Sequence, residues 1–445
     1  MLKKFKVYKF LLKQKKKYSL KKKILRNRNL IESFLDLDKH NFEEIQKKLL
    51  YKILIYAKDN IPYYSKILEN ILIEKNEVFN IIKQVPLLSK NIIREEKDRM
   101  FPVDFSSKVH KGWMNTGGST GEPLLFPTYE NMEAIHQYAL YNLIGKKNGE
   151  LIVSVDGSRV NDIDLNNNIY WTYDYTNIIY GETHFSVLYM NVDTLPYYVS
   201  HLNFLKPTVI RGYPSGLTKL ANFLYENGLK LDFHIKGIYL TSEYYDKIVI
   251  NNLSTIFSCP IYGQYGHAEA SVFAFTQANS LEYFCSPLYG YTEVLNKNNK
   301  QADVGELGEV VVTGFYNKCM PFIRYRTGDL AVYGGRKNGY VILKSLQGRT
   351  VDYIVNLNHE KVYLIGLIFG GHLKCFENIK TWQIEQNVVG RVDVRIVRDE
   401  KFSSIDEDEI KSLLLSVTIL SEFHYAEEIK MTDRGKQKFL IQNLQ

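Results

Sequence analysis

From about residue 150 onward, short strand-like runs alternate with runs of helical periodicity, and this alternation restricts the fold more than any other feature. Apolar and β-branched residues fill 151–155, 208–211 and 235–241, whereas 217–225 repeats its apolar residues with the period of a helix. Strands that alternate with helices form βαβ units around a mainly parallel sheet. The sequence therefore predicts an α/β protein.

Other segments complete the predicted outline. Apolar residues recur at helical spacing between residues 30 and 80, and further strands are expected at 260–264 and 308–313. After about residue 348 the runs shorten into a small α+β unit, with a strand, a helix and a final strand at 392–397, 405–415 and 439–441. The 445 residues exceed the length of one typical domain. We predict a basic leader, a large domain and a small domain, over residues 1–30, 31–348 and 349–445.

The leader differs from the rest of the chain in charge. Residues 1–30 hold eleven Lys, two Arg and no acidic residue, which is +13, whereas the whole chain carries +8, so the other residues carry −5. Such a segment is typical of a solvated arm, and its interspersed apolar residues would also suit an anionic membrane surface. We expect no nucleic-acid partner, because the body offers no second basic patch with aromatic platforms.

Cysteine content and hydropathy bear on where the protein works. The four cysteines form no CxxC pair, and so few in a chain of this length favour reduced, buried thiols over a metal or redox role. No apolar run approaches the roughly 18 residues of a membrane-spanning helix. Lys9 and Lys13 interrupt the apolar part of the N-terminus, so no signal peptide is expected. These features predict a cytoplasmic protein whose leader could contact the inner membrane face.

The segment 115–123, with the sequence NTGGSTGEP, has the composition of a phosphate-binding loop. Its three glycines let the backbone approach an anion closely, and its hydroxyl and N–H groups can hold phosphate oxygens. It is not a Walker loop, because no GK[ST] closes it. Taken alone, such a loop is equally typical of a flexible turn.

Four more motifs follow the loop in a fixed order, which makes the set more specific than any member. They are YGHAE at 265–269, YRTGD at 325–329, GRTVD at 348–352 and RGK at 434–436. Together they resemble the adenylate-forming superfamily, and within it the phenylacetate-CoA ligase family and its capsular-polysaccharide CapK-type branch. The segments IPYY, VPLLSK and GYPS at 61–64, 85–90 and 212–215 agree with this, and the resemblance covers residues 50–445.

The resemblance implies a reaction and a set of nucleotide contacts. A substrate carboxylate attacks the α-phosphate of ATP, giving an acyl-adenylate and pyrophosphate, and a nucleophile then displaces AMP. Tyr265, followed by Gly266, would pack on the adenine, and Asp329 would accept both ribose hydroxyls. The loop residues that would wrap the β- and γ-phosphates are Thr116, Gly117, Gly118, Ser119, Thr120 and Gly121.

Three charged residues are implied in the chemistry. Glu269 would hold Mg²⁺ through a carboxylate oxygen, which a hard cation prefers. Lys436 would lie between the substrate carboxylate and the α-phosphate, and would stabilise the charge that grows in the transition state. Arg349 would contact ribose or phosphate through its planar guanidinium.

Five further residues fall where the resemblance places substrate or nucleotide contacts, and each has a plain structural alternative. Tyr213 and Ser215 are expected near the nucleotide or the acid, or else simply at the start of a helix. Ser242 and Glu243 would contact the nucleotide, the alternative being no role in binding. His267 would line the acyl pocket or merely pack against its neighbours.

The implied protein is an ATP-dependent ligase similar to phenylacetate-CoA ligase, with a large adenylate-forming N-terminal domain and a smaller α+β lid that carries Lys436. The acyl group would pass to CoA or directly to an amine or hydroxyl acceptor, and the CapK-type resemblance suggests capsular or surface polysaccharide biosynthesis. The competing hypothesis is a non-catalytic nucleotide-binding scaffold of a glycan-assembly pathway. A scaffold has no reason to keep Glu269, Asp329, Arg349 and Lys436 together, so we favour the enzyme.

Overall fold

The structure is a computed structural model, and it describes residues 22, 24–105, 112–115, 124–129, 132–147, 149–174, 182–349, 353–363, 375, 378–429, 431–432 and 437–444. The chain divides into two compact units. Unit 1 comprises Met1–Glu150, Tyr175–Gly181 and Tyr262–Leu346, and unit 2 comprises Leu151–Asp174, Glu182–Ile261 and Gln347–Gln445. The predicted division into a leader, a large domain and a lid stays a prediction.

The described α-helices lie mainly before residue 260. In chain order they are α1 (Arg28–Leu35), α2 (Glu43–Asn60), α3 (Pro62–Ile67), α4 (Val78–Ile81), α5 (Lys90–Glu95), α6 (Glu133–Leu143), α7 (Asp162–Asn166), α8 (Leu195–Leu205), α9 (Pro214–Glu226), α10 (Lys247–Phe257) and α11 (Ser404–Ser416). The predicted helical region between residues 30 and 80 is confirmed, and Pro62 begins a new helix directly after Ile61.

The described residues form twenty strands. They are β1 (Gly112–Asn115), β2 (Leu125–Thr128), β3 (Ile152–Asp156), β4 (Trp171–Asp174), β5 (Glu182–Ser186), β6 (Val209–Gly212), β7 (Gly237–Leu240), β8 (Ile261–Gly266), β9 (Phe273–Thr276), β10 (Tyr283–Cys285), β11 (Gly290–Leu295), β12 (Leu307–Gly314), β13 (Tyr325–Lys337), β14 (Tyr340–Arg349), β15 (Tyr353–Val355), β16 (Lys361–Tyr363), β17 (Ile379–Val388), β18 (Arg391–Arg398), β19 (Leu420–Tyr425) and β20 (Leu440–Gln442).

Unit 2 contains the parallel sheet that the alternation of strands and helices predicts. Its strands lie in the order β4-β5-β3-β6-β7, and β5, β3, β6 and β7 run parallel. The edge strand β4 pairs antiparallel with β5. Helix α9 follows β6 and buries Leu217, Leu220, Ala221 and Leu224, which is the i, i+3, i+4, i+7 stripe of an amphipathic helix.

Unit 1 differs from the prediction of a mainly parallel sheet. Its strands lie in the order β11-β12-β13-β14-β10-β9-β8, and the pairs β8/β9, β9/β10, β10/β14, β11/β12 and β12/β13 are antiparallel. The physical reason is the length of the connections. No α-helix lies within the described residues 262–349, and short turns can join only antiparallel neighbours, whereas a parallel pair needs a long crossover.

The C-terminal part of unit 2 is the predicted small α+β element. A four-stranded sheet in the order β19-β18-β17-β20 carries α11, which connects β18 to β19 as a parallel crossover. Ser403 caps α11 through a capping box with Asp406. Ile384, Val394, Ile396, Ile410 and Leu414 form the centre of its apolar core. The strand, helix and final strand expected at 392–397, 405–415 and 439–441 are confirmed within one residue at each described end.

The structure also bears on the expectations about the cysteines and about membrane-spanning segments. All four cysteines are free thiols and are buried. Within the described part of the chain, no group of three or more His, Cys, Asp and Glu side chains could hold a metal ion. No helix in that part is long and apolar enough to cross a bilayer.

Candidate active site

Two predicted nucleotide-binding residues of unit 1 contact each other. Tyr265 lies near the end of β8 and Asp329 lies in β13, and the Tyr265 hydroxyl donates to Oδ2 of Asp329 at 2.7 Å. Burial, and then the neighbouring Asp329 carboxylate, raises the pKa of Tyr265 well above its ordinary value, so the hydroxyl remains a donor. The structure thus brings together two motifs that are 64 residues apart in the chain.

The Thr-Gly-Asp sequence explains how β13 presents Asp329. Gly328 has φ of +77°, a left-handed conformation that a residue with a Cβ rarely adopts. Oγ1 of Thr327 accepts a hydrogen bond from the Asp329 backbone N–H at 3.0 Å and donates to the Val310 carbonyl at 2.7 Å. The side chain of Asp329 therefore leaves the strand at a point that the backbone fixes.

Glu269 is a buried, ionised carboxylate in the loop after β8. Only 5% of the residue is exposed. Its Oε1 accepts a hydrogen bond from the Tyr325 hydroxyl at 2.8 Å, and its Oε2 lies 3.0 Å from Nδ1 of His267. Burial alone would raise the pKa of Glu269, but the charge and hydrogen bond of His267, with the bond from Tyr325, outweigh burial and lower the pKa to about 2.

His267 lies beside the buried Glu269 carboxylate. Its Nδ1 is at ion-pair distance from Glu269, yet both ring nitrogens are buried and lack a hydrogen bond of good geometry to the described residues. The Tyr325 ring packs edge-on against the imidazole, with 6.3 Å between ring centroids. The two alternatives for His267, lining an acyl pocket or simply packing, both fit this placement.

Tyr325 is a site residue to which the sequence analysis assigned no role. It begins the YRTGD motif, and its hydroxyl fixes one oxygen of Glu269. The signal was available, because Tyr325 lies inside a recognised motif and is buried at 1% exposure. A buried tyrosine usually needs a hydrogen-bond partner, so a contact with a motif carboxylate could have been expected.

The short motifs at 61–64 and 85–90 support this part of the site rather than entering it. Leu88 pairs with the start of β13, accepting from the Arg326 N–H and donating to the Arg324 carbonyl, each at 2.9 Å. The Tyr64 hydroxyl donates to the Pro321 carbonyl at 2.9 Å. Both motifs therefore brace the segment that leads to Asp329.

In unit 2, Glu243 fastens two segments that the sequence analysis singled out. Its Oε2 accepts from the Ser215 N–H at 2.9 Å, and its Oε1 accepts from the Ser215 hydroxyl at 3.0 Å and from the Gln437 N–H at 2.8 Å. Ser215 lies in the first turn of α9, where free N–H groups and the helix dipole favour a carboxylate. Glu243 thus links α9 to the residue that follows Lys436 in the sequence.

The neighbouring backbone is strained where the predicted contacts lie. Ser242 has φ of +71°, which costs free energy for a residue other than glycine and recurs at functional sites. Tyr213 is the N-cap of α9 and donates its N–H to the Val155 carbonyl at 2.9 Å. Gly212 just before it admits no side chain, since a Cβ there would lie 2.2 Å from the Val155 carbonyl oxygen.

A second polar group in unit 2 escaped the sequence analysis. His184, Ser154, Arg211 and Tyr239 occupy adjacent register positions on β5, β3, β6 and β7, so they share one face of the sheet. Asp156 and Glu182 lie two residues from Ser154 and His184 on the same face. The available signal was the presence of charged residues at alternate positions inside strand-like runs.

Several predicted site residues lie outside the described residues. They are Thr116, Gly117, Gly118, Ser119, Thr120, Gly121 and Lys436, together with the side chain of Arg349. Their assigned roles stay predictions, as do those of the described site residues.

The residues present are compatible with the predicted Mg²⁺. This cation keeps several waters and is usually bound by one or two carboxylates together with substrate phosphates. Glu269 is ionised, and each of its oxygens keeps lone-pair capacity beyond the contacts with Tyr325 and His267. A single buried carboxylate beside a nucleotide is therefore a sufficient protein contribution.

Comparison with known proteins agrees with the fold. The chain is 26% identical to Protein CapK of Staphylococcus aureus over 424 residues, which cover 90% of this chain and 89% of CapK. The structure of 2-hydroxyisobutyryl-CoA ligase in the postadenylation state superposes with a TM-score of 0.69 at 18% identity, over 89% of each chain. This chain has the fold of the adenylate-forming ligases.

Another solved structure extends the comparison. An acyl acid amido synthetase in complex with 2,4-DB matches with a TM-score of 0.55 at 17% identity, over 86% of this chain and 84% of the synthetase. No family model matches the chain. The predicted α/β fold class and the resemblance to the adenylate-forming superfamily and to CapK are thus confirmed.

Proposed function

We propose that the chain is an ATP-dependent ligase, similar to phenylacetate-CoA ligase, that activates a carboxylic acid as an acyl-adenylate. The observation that carries this proposal is the hydrogen bond between Tyr265 and Asp329, because it joins two separate motifs to which nucleotide binding is assigned. The fold shared with 2-hydroxyisobutyryl-CoA ligase supports the same reaction class.

Each described residue of unit 1 has a proposed role that its surroundings support. Asp329 accepts the ribose hydroxyls with the lone pairs that its contact with Tyr265 leaves available. Glu269 provides the carboxylate for Mg²⁺, which when bound would neutralise charge on the phosphate oxygens. Tyr325 orients Glu269, and Tyr265 holds Asp329 and offers its ring to the adenine.

The residues outside the described part complete the proposal. Thr116–Gly121 wraps the β- and γ-phosphates through its N–H and hydroxyl groups. Lys436 places an ammonium between the acid and the α-phosphate, and Arg349 contacts ribose or phosphate. These groups position the reactants and stabilise charge, which is most of what phosphoryl chemistry requires from a protein.

The activated acyl group then passes to CoA or directly to an amine or hydroxyl acceptor. Two neighbours in fold illustrate the choice, since one was solved with an acyl-AMP and CoA and another is an amido synthetase. The similarity to CapK supports a place in capsular or surface polysaccharide assembly. The acid itself is a small molecule whose identity only a screen will reveal.

The test is ATP–pyrophosphate exchange across a panel of aryl, aliphatic and hydroxylated acids. We expect exchange with at least one acid, and we expect Lys436→Ala to abolish it without loss of folding. Lys401→Ala, which alters an exposed lysine, is the matched control and should exchange like wild type. Wild-type exchange by Lys436→Ala would remove that lysine from the proposed chemistry.

The same assay separates the enzyme from the scaffold. ATP binding without exchange for any acid would favour a non-catalytic nucleotide-binding component of a glycan pathway.

The leader needs its own measurement. We expect that deletion of residues 1–28 lowers binding to vesicles with anionic lipids, because it removes the whole +13 charge, and leaves exchange in solution intact. Equal vesicle binding by both forms would make the leader a solvated arm.

A further inference from the structure

Unit 2 contains an aspartate–histidine pair that the proposed adenylation step does not use. Nδ1 of His184 lies 2.7 Å from Oδ2 of Asp156, on the neighbouring parallel strand. Asp156 is itself fixed, since its oxygens accept from the Ser154 hydroxyl at 2.9 Å, from the Ser158 N–H at 3.0 Å and from the Ser158 hydroxyl. A carboxylate held in this way orients the imidazole and selects its tautomer.

The other nitrogen of His184 remains available. Its Nε2 lies 3.9 Å from the nearest Glu182 oxygen, which is beyond hydrogen-bond distance, and it has no other partner among the described residues. The side chain is 20% exposed. Because Nδ1 carries the hydrogen that faces Asp156, the neutral ring presents a lone pair at Nε2, which is the arrangement of a general base.

Glu182, the carboxylate beside Nε2 of His184, also forms an ion pair with Arg211. Arg211 binds Glu182 at 2.5 Å and also donates to the Ser154 hydroxyl and the Tyr239 hydroxyl, each at 3.1 Å. Glu182 is therefore neutralised by Arg211 at 3% side-chain exposure.

Asp156, the last residue of β3, lies at the edge of the sheet where ligands bind in α/β folds. In the order β4-β5-β3-β6-β7 the chain leaves β3 toward β5 and returns to β6 on the other side, and such a reversal opens a crevice at the carboxyl ends of the strands. Asp156 ends β3, and Tyr213, directly after β6, donates its N–H to the residue before Asp156. The pair therefore adjoins the segment of unit 2 to which substrate contacts are assigned.

We infer that His184, oriented by Asp156, is the general base that removes the proton from a hydroxyl or amine acceptor when the acyl group leaves the adenylate. This inference rests on the proposed function and concerns its second step. His184 would touch the acceptor and act as a catalytic residue, whereas Asp156 is a positioning residue.

The step balances as an acyl substitution. The acceptor oxygen or nitrogen forms a bond to the acyl carbon, and the bond from that carbon to the phosphate oxygen breaks with its electron pair, releasing AMP. The acceptor proton moves to Nε2, the Asp156 carboxylate stabilises the resulting imidazolium, and the proton then passes to water. No oxidant, reductant or further reactant takes part.

This chemistry distinguishes the acceptors. A thiol such as that of CoA, with a pKa of about 8.5 if it resembles cysteine, is partly ionised at neutral pH and needs little help. A hydroxyl or an ammonium group must lose a proton that water removes poorly. A built general base is therefore expected in an enzyme that acylates an alcohol or amine, and contributes about 10²- to 10⁴-fold there.

The test measures the two half-reactions separately on the full-length protein. With an acid identified by exchange, transfer to ethanolamine, which offers both an amine and a hydroxyl, is compared with transfer to CoA. Alkaline hydroxylamine cleaves ester but not amide products and so distinguishes the two ethanolamine groups. We expect His184→Asn, which can still donate to Asp156, to lower ethanolamine transfer at least about 100-fold, and to lower exchange and CoA transfer far less. His234→Asn, at an exposed histidine of the same unit, is the control.

The pH profile distinguishes catalysis from a structural role. Burial alone would lower the pKa of His184, but the hydrogen bond and charge of Asp156 and the charge of Glu182 raise it, against the opposing charge of Arg211. Ethanolamine transfer should therefore fall at acid pH as His184 becomes protonated. Asp156→Asn should move this acid limb to lower pH and reduce the maximal rate, and it provides a second variant if His184→Asn fails to fold.

The outcomes separate this inference from the proposed function. An acid limb of ethanolamine transfer that Asp156→Asn leaves unchanged, or transfer to CoA alone by the wild-type protein, would overturn the inference and leave adenylation standing. Equal loss of ethanolamine and CoA transfer in His184→Asn would likewise overturn it. Absence of exchange with every acid would overturn the proposed function and, with it, the assigned second step.

Discussion

The two units each contain a histidine beside a carboxylate, and the two pairs are built differently. In unit 1, His267 and Glu269 are two residues apart in one loop, and both ring nitrogens of His267 are buried. In unit 2, His184 and Asp156 are 28 residues apart on neighbouring strands, and Nε2 of His184 lies 3.9 Å from Glu182, beyond hydrogen-bond distance, in a side chain that is 20% exposed. Both carboxylates nevertheless have their pKa lowered to about 2.

The two pairs suit different tasks, because one holds a charge in place and the other can transfer a proton. The His267–Glu269 pair keeps a carboxylate ionised in a buried place, which suits a cation or phosphate ligand. The His184–Asp156 pair leaves one nitrogen able to gain and lose a proton, which suits acid–base chemistry. Similar pKa values of the carboxylates therefore do not imply similar functions. The surroundings of the histidine nitrogen that faces away from the carboxylate distinguish the two pairs.

The largest expected effect comes from removing the charge of the first pair. Glu269→Gln should lower pyrophosphate exchange at least about 100-fold, because a charge that stabilises the transition state is lost at a buried position. Glu422→Gln, at the exposed Arg391–Glu422 pair, is the matched control and should exchange normally. Exchange by Glu269→Gln within threefold of wild type would reduce the first pair to a structural contact.

Next in size is the effect of pushing β6 away from β3, the strand that ends in Asp156 of the second pair. Gly212→Ala places a Cβ 2.2 Å from the Val155 carbonyl oxygen, one residue before Asp156, so we expect a loss of more than about 2 kcal/mol in the free energy of unfolding and weaker acyl transfer. Gly228→Ala also has positive φ but no atom within 4 Å of the new Cβ. Urea unfolding of the two variants should therefore differ clearly, and equal midpoints would contradict the close approach.

The dependence of stability on pH should differ between the pairs. The pKa of Glu269 is lowered from 4.5 to about 2, so its contribution, on the order of 3 kcal/mol, is complete above pH 4.5 and is lost as pH falls toward 2. The pKa of Asp156 is likewise lowered from 3.8 to about 2, so its contribution to stability is complete above pH 3.8 and is lost as pH falls toward 2. The pKa of His184 is raised, so protonated His184 contributes stability that is complete below pH 6.5. This contribution is lost as pH rises through the pKa of the folded state.

Urea midpoints from pH 2.5 to 8 provide the measurement. Glu269→Gln should flatten only the acid side of the profile. Asp156→Asn should flatten the acid side and also reduce the loss above pH 6.5, because His184 then no longer has its pKa raised by Asp156. Identical profiles for the two variants would show that His184 is not coupled to Asp156 in solution.

The smallest effect is expected at Glu243, a third carboxylate, which accepts hydrogen bonds from Ser215 and Gln437. Glu243→Gln keeps an oxygen that can accept from Ser215 but removes the charge at the start of α9, so about 1 kcal/mol of stability should be lost. Hydrogen exchange of the Ser215 and Gln437 amides would report the loosening. Unchanged protection of both amides would show that the charge is dispensable.

Much of the fold and part of the site were accessible from the sequence. The alternation of strands and helices predicted the parallel sheet of unit 2, and the YGHAE and YRTGD motifs identified Tyr265, Glu269 and Asp329 before their contacts were known. The antiparallel arrangement of β8 to β14 was not foreseen, since strand-like runs alone do not state which edges will pair.

The contacts of Tyr325 and Glu243 are of a kind that sequence motifs do not predict. Tyr325 belongs to a recognised motif, yet its partner Glu269 is 56 residues away, and Glu243 meets Gln437 across 194 residues. Residue types at matching places suggest chemistry. They do not state which oxygen accepts which hydrogen bond.

The amino-acid sequence by itself determined the helical and strand segments, the charge of the leader and the local motifs, because each depends on residues within a few positions of one another. Only the tertiary structure decided that Asp156 faces His184 and that Arg211 binds Glu182. The physical reason is that neighbours across a sheet are set by strand order and register, and these follow from the packing of the whole unit rather than from any single segment.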